Sequence, residues 1–185
     1  MASDGVHFRR GLGCPMTFEA VELTEYEAIP SPGLAQWLDD HDVALACTHT
    51  NKVLSVGRDD NGRCDVRGEP FERVTALAAA SDSTVWLATA FQLWRLENAV
   101  PAGERSRTGD DRFYVPRFAH TVGNALPTDL GILADGTPIF GSITMSCLAR
   151  PDSRLGLSPV WMPPFVTELA PDRRCYLSGL GMRDG

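Results

Sequence analysis

The chain has 185 residues, 43% hydrophobic and 22% charged, which suits one soluble globular domain able to bury a core. A net charge of -7 argues against a nucleic-acid partner, because phosphate backbones call for a basic field. Apolar runs such as "VALAC" and "VTALAAA" fall far short of the roughly 20 residues of a membrane helix, and the N-terminal stretch lacks the continuous apolar core of a signal peptide, so the expectation is a cytoplasmic protein with no membrane partner.

In chain order, residues 1–33 read as an irregular arm without clear periodicity. "SPGLAQWLDDHD" (Ser31 to Asp42) predicts a short helix, with Ser31 as N-cap and Pro32 at the first helical position. From there the pattern turns to short apolar or alternating runs: "VALACTHT", "KVLSVGR", "RCDVRG", "VTALAAA", "TVWLATA", "QLWRLEN", "RFYVPRFAH", "LGILAD", "TPIFGSI", "MSCLAR" and "PVWMPPF". Turn chemistry separates them at Asn61-Gly62, Ser81-Asp82-Ser83, Asp135-Gly136 and Pro151-Asp152-Ser153. Many short strands punctuated in this way predict an all-β sandwich, barrel or propeller.

A period decides among them. "TALAAASDSTVWLATAFQLWRL" from Thr75 and "TDLGILADGTPIFGSITMSCLAR" from Thr128 share an order of strand, Asp-containing turn, strand and strand. Leu77 and Leu130 lie 53 residues apart, as do Asp82 and Asp135. Multi-stranded units near 50 residues are a propeller signature. The final "LSGLGMRDG" reads as the opening strand of a further unit, closed by an Asp-Gly turn with no mate after it. The expected fold is therefore all-β, a partial (open) β-propeller of about three blades over residues 34–185 with a short N-terminal helix. Such an open edge predicts a homodimer or a protein partner that covers it.

"VWLATAFQLWRLENAVP", "DDRFYVPRFAHTVG" and "PVWMPPFVTELAPDRRCYLSGLGMRDG" resemble consecutive motifs of an uncharacterised bacterial family of conserved hypothetical proteins. The resemblance covers about residues 34–185. It implies a propeller, in some members fused to tetratricopeptide repeats, and a parent of about twice this length; it implies no activity. Relatives resemble His-Asp-Leu where this chain has Thr128-Asp129-Leu130, and His-Leu-Asn-Gly-Leu where it has Tyr176-Leu177-Ser178-Gly179-Leu180. His120 in "AHT" remains. Imidazole can ligate a metal or move protons near neutral pH, and Thr and Tyr do neither readily. The departures imply a noncatalytic segment serving as a binding surface or a truncated family member.

The competing expectation is a propeller-type hydrolase or lyase at a central channel, with His120 and Asp129 as catalytic residues and a metal of unknown ligands. Both residues also have ordinary structural readings, as a hydrogen-bonded histidine and as a carboxylate bonding local backbone. Cys47 and His49 share a strand face and could offer two metal ligands; two do not make a site. Asp59-Asp60-Asn61-Gly62 lacks the spaced ligands of a calcium loop. Trp86, Trp94 and Trp161 could line an aromatic face, but packing in the core between blades explains them more cheaply. The five cysteines, Cys14, Cys47, Cys64, Cys147 and Cys175, are odd in number and form no Cys-x-x-Cys, so free thiols are expected. No phosphate loop, nucleophile elbow or zinc helix motif is present, and no cofactor is expected.

Overall fold

Short β-branched and aromatic runs between turn residues leave the chain one economical choice, the antiparallel meander, since adjacent strands need only a tight turn between them. The first sheet contains β1 (Ala44–Thr48), β2 (Lys52–Arg58) and β3 (Cys64–Pro70). The second contains β4 (Val74–Ala79), β5 (Thr84–Thr89), β6 (Gln92–Asn98) and β7 (Tyr114–Thr121). The third contains β8 (Pro127–Ile132), β9 (Pro138–Ser142), β10 (Cys147–Asp152) and β11 (Gly156–Trp161). In each, strands pair antiparallel in chain order. The computed structural model describes residues 33, 36–38, 51–58, 61–107 and 109–183, together with the backbone of β1. Gly33 and Gln36, Trp37 and Leu38 are helical; the rest of the expected helix and the arm before it lie outside the described residues.

The turns behave as their residues dictate. Gly62 and Gly136 adopt φ of 74° and 81°, in the left-handed region where a β-carbon is penalised. The Asp135 carboxylate accepts the Thr137 N–H at 2.9 Å, and Asp152 accepts those of Arg154 and Leu155 at 2.9 and 2.7 Å. These amide bonds hold both carboxyls below their usual range.

The core lies between the second and third sheets, where β4 and β5 pack on β8. Phe140, Leu87, Leu93 and Cys147 are fully buried, and Ala76, Ala88, Ala125 and Ala149 let the backbones come close. Burying Phe140 alone contributes on the order of 2–3 kcal/mol. Burial pushes the Cys147 thiol up to about 11, so it stays a protonated packing group. Trp86, Leu87, Leu130, Ile139 and Phe140 are buried and Leu77 is half-buried. Leu77 pairs with Leu87 on β5, and Leu130 pairs with Phe140 on β9, so the two positions have the same role in successive sheets.

The all-β expectation stands. The described sheets do not close into a ring. Among the described residues no helix is long and apolar enough to cross a membrane.

Phe140→Ala should cost about 3–5 kcal/mol through lost contacts and a cavity, read as a lower urea midpoint at unchanged slope. The Asp135 and Asp152 carboxyls titrate lower in the fold than in the unfolded chain. Their contribution is present above the unfolded carboxylate range, about pH 4, and is lost as pH falls through the folded values. Asp152→Asn should therefore flatten part of the acid limb in a pH series of urea melts.

Candidate functional site

Polar and glycine positions converge on β8 and on a segment, residues 175–183, that runs extended beside it. The Thr128 hydroxyl donates toward the Leu177 carbonyl. Asp129 accepts the Leu180 N–H on one carboxylate oxygen at 2.7 Å and the Leu130 N–H on the other at 2.9 Å. At Gly131 the approach is close: a β-carbon there would lie 2.7 Å from the Met182 sulfur and 2.9 Å from a Leu180 methyl, so those side-chain ends would have to shift. Gly141, on the neighbouring strand, would bring its own β-carbon to 3.4 Å from the Leu177 carbonyl. Thr128, Asp129 and Gly131 on β8, with Gly141 beside them on β9, thus make a seat for Leu177–Met182.

A buried polar turn closes one end of this seat. Between β9 and β10, Ser142 donates to the Ala125 carbonyl at 2.5 Å and accepts the Met145 N–H at 3.1 Å. Ser146 accepts the Cys175 N–H at 3.0 Å, and the Thr144 carbonyl accepts the Arg173 N–H at 3.3 Å. Ser142, Thr144 and Ser146 are all buried, and among the described residues the Thr144 hydroxyl has no partner.

His120 stands elsewhere. It lies on β7, the last strand of the second sheet. Its Nε2–H donates to the Gly156 carbonyl at 2.8 Å, at the first residue of β11. Gly156 has φ of 82°, and a β-carbon there would sit 3.2 Å from the Thr121 carbonyl, so the β7 end and the start of β11 are in close backbone contact. After the Leu155 and Arg154 amides, Arg150 and then His120 add to the downward shift of Asp152. Among the described residues no hydrogen bond joins His120 to Asp129. One ties β7 to the third sheet, and the other ties residues 175–183 to β8.

Two of the clefts among the described residues lie beside the sheets. The larger, about 570 Å³, is lined by both signs of charge, including Asp82, Glu104, Arg105 and Arg112. Arg112 donates to the Asp82 carbonyl at 2.8 Å and Arg105 to the Gly109 carbonyl at 2.7 Å. The smaller, about 210 Å³, lies between the first and second sheets against Val53, Phe71, Leu77, Leu96 and Tyr114. Burial there raises the Tyr114 phenol, whose hydroxyl donates to the Asp82 carbonyl at 2.9 Å. Among the described residues, no three His, Cys, Asp or Glu side chains gather where they could hold a metal. The side chain of Cys47, with Cys14, His49, Asp59 and Asp60, lies outside the described residues. Trp86 is in the core, Trp94 meets Phe71 edge-to-face at 5.5 Å, and Trp161 is exposed, so packing accounts for two of the three tryptophans.

Residues 32–185 match DUF4915, a domain of unknown function. The chain belongs to this family. The DUF4915 span takes in all three sheets and the segment seated on β8. No curated protein and no solved structure matches the chain. The seat in this DUF4915 domain depends on Thr128, Gly131, Gly141 and Ser146, none of which the sequence singled out for a role. A glycine inside the apolar run "LGIL" was the available signal, because such a glycine often marks a close backbone approach.

Asp129→Ala should leave the Leu180 amide without its acceptor and cost about 1–3 kcal/mol, with Asp129→Asn recovering part. Gly131→Val should displace Leu180 and Met182. Faster tryptic cleavage at Arg173 and Arg174 is the expected readout for both Asp129→Ala and Gly131→Val.

Proposed function

We propose that this DUF4915 domain is a noncatalytic β-propeller segment of three blades, a cytoplasmic module that works through its surface. One observation carries the proposal: three sequential meanders stand side by side, with β4 against β8 and β1 against β4. Radially placed blades meet at their inner strands in this manner. A shared construction supports it. The chain leaving each sheet bonds back to a turn of the same sheet: Phe71 N–H to the Asn51 carbonyl, Val122 N–H to Phe91, and Arg173 N–H to Thr144, at 2.8, 2.9 and 3.3 Å. The three donors are spaced by 51 residues.

The employment of His120 and Asp129 supports a noncatalytic role. Both oxygens of Asp129 accept backbone N–H groups, and the His120 Nε2–H is held by a carbonyl. Each side chain thus has a structural use in the fold. The free thiols Cys64, Cys147 and Cys175 accord with a reducing compartment.

Purified protein should carry no stoichiometric metal and no metal-dependent change in melting temperature. One ion per chain, lost in Asp129→Asn, would favour a hydrolase or lyase and overturn the noncatalytic assignment. An experimental structure should place the three sheets around a common axis; two sheets packed face to face would overturn the propeller.

A further inference from the structure

We propose that the smaller cleft, between the first and second sheets, is a binding site for one free α-amino acid with a large apolar side chain. The site is independent of how the sheets are set around an axis. β1 packs on β4, and beside that contact the two sheets leave a space of about 210 Å³.

Its two walls differ in chemistry. Residues directly opposite on antiparallel strands, and those two apart on one strand, share a face. Leu77 pairs with Leu87, and Val85 with Leu96, so Leu77, Val85 and Leu96 stand on one face of the second sheet. The core shared with the third sheet takes residues of the opposite face, Ala76, Trp86 and Ala88. On the first sheet Val53 pairs with Glu69 and Ser55 with Arg67, so the face across the cleft carries a hydroxyl and two charges. Two sheets that met purely to bury surface would interdigitate apolar side chains from both inner faces. Here an apolar wall stands against a polar one. Val85 and Leu96 are buried at the floor, while Leu77 and Phe71 are half-buried although they lie between two sheets. Apolar surface therefore remains for a ligand to cover.

Size limits the apolar part of that ligand. A cavity of about 150 Å³ admits benzene, and drug-sized ligands occupy about 300–1,000 Å³. One aromatic or branched side chain suits the volume between these. Phe71, which meets Trp94 edge-to-face at 5.5 Å, and the exposed Phe113 offer it rings.

The charges select the remainder. The Arg67 guanidinium is engaged by Asp65 and Asp110. Glu69 is exposed on the cleft and forms no ion pair among the described residues, so its carboxylate is available to an ammonium group. Arg112 lines the same cleft, steadied by its bond to the Asp82 carbonyl, which the Tyr114 hydroxyl also reaches. A guanidinium carries five donors in a fork that matches a carboxylate. One anion, one cation and one apolar pocket of side-chain size complement an amino acid. A residue inside a peptide chain carries neither backbone charge, so the free amino acid is the ligand.

The test is calorimetric titration of the full chain with L-phenylalanine, which should bind saturably at one site. Phenethylamine, which lacks the carboxylate, and 3-phenylpropionate, which lacks the ammonium, should each bind at least about tenfold more weakly. Glu69→Gln and Arg112→Gln should each weaken phenylalanine by a similar factor. Glu69→Gln alters an exposed residue without an ion pair, so its melting temperature should be unchanged and its weaker binding reads the contact rather than the fold. Ser55→Phe should fill the cleft and abolish binding while the chain still melts cooperatively. No saturable binding of phenylalanine, leucine or tryptophan overturns the proposal. Phenethylamine binding as tightly as phenylalanine overturns the assignment of Arg112, and 3-phenylpropionate doing so overturns that of Glu69. Binding undiminished in a folded Ser55→Phe chain places the ligand elsewhere and overturns the site.

Discussion

The five residues Val122–Leu126 hold the second and third sheets together, and the rest of the arrangement follows from how their backbone groups are satisfied. Val122 and Leu126 donate to the Phe91 and Ala90 carbonyls of the second sheet. The Ala125 carbonyl accepts the Thr144 N–H and the Ser142 hydroxyl of the third, and Leu126 accepts the Ile143 N–H. Ala125 is fully buried, so an unmet group at this point would carry the full desolvation penalty. Leu126 reaches a φ of 47°, an uncommon conformation for a residue with a γ-branched side chain. The surrounding hydrogen bonds overdetermine it. With the connection fixed, β8 has little freedom but to lie along β4, and the alanines and Phe140 pack into the space between.

The same economy explains the polar residues near β8. A carboxylate and a hydroxyl at the start of a strand are common equipment for catalysis, yet here they supply acceptors and donors to a neighbouring extended segment. Extended chain without a hydrogen-bonded strand partner needs side chains to bond its amides and carbonyls. Thr128, Asp129 and Ser146 do so for Leu177, Leu180 and Cys175. Between the first and second sheets Arg67 reaches Asp110 at 2.6 Å, a surface pair of the kind worth roughly 0–1 kcal/mol, and Phe71 meets Trp94 edge-to-face at 5.5 Å.

Local chemistry was legible from the residues alone. Asn61-Gly62, Asp135-Gly136 and Asp152 lie at turns because left-handed φ and side-chain-to-amide bonds are properties of a few adjacent residues. The alternating runs became strands, and the 53-residue correspondence of Leu77 with Leu130 placed both on the first strand of a sheet, since hydrophobic order along a meander is preserved when the meander is repeated. Tertiary structure decided what depends on which strand meets which. His120 belongs to a last strand and bonds Gly156 from another sheet, a contact between residues 36 apart that no local pattern encodes. Asp129 reaches across 51 residues to Leu180 for the same reason. Sequence fixes alternation and turns because those are short-range; it leaves strand order, side-chain employment and open edges to long-range pairing.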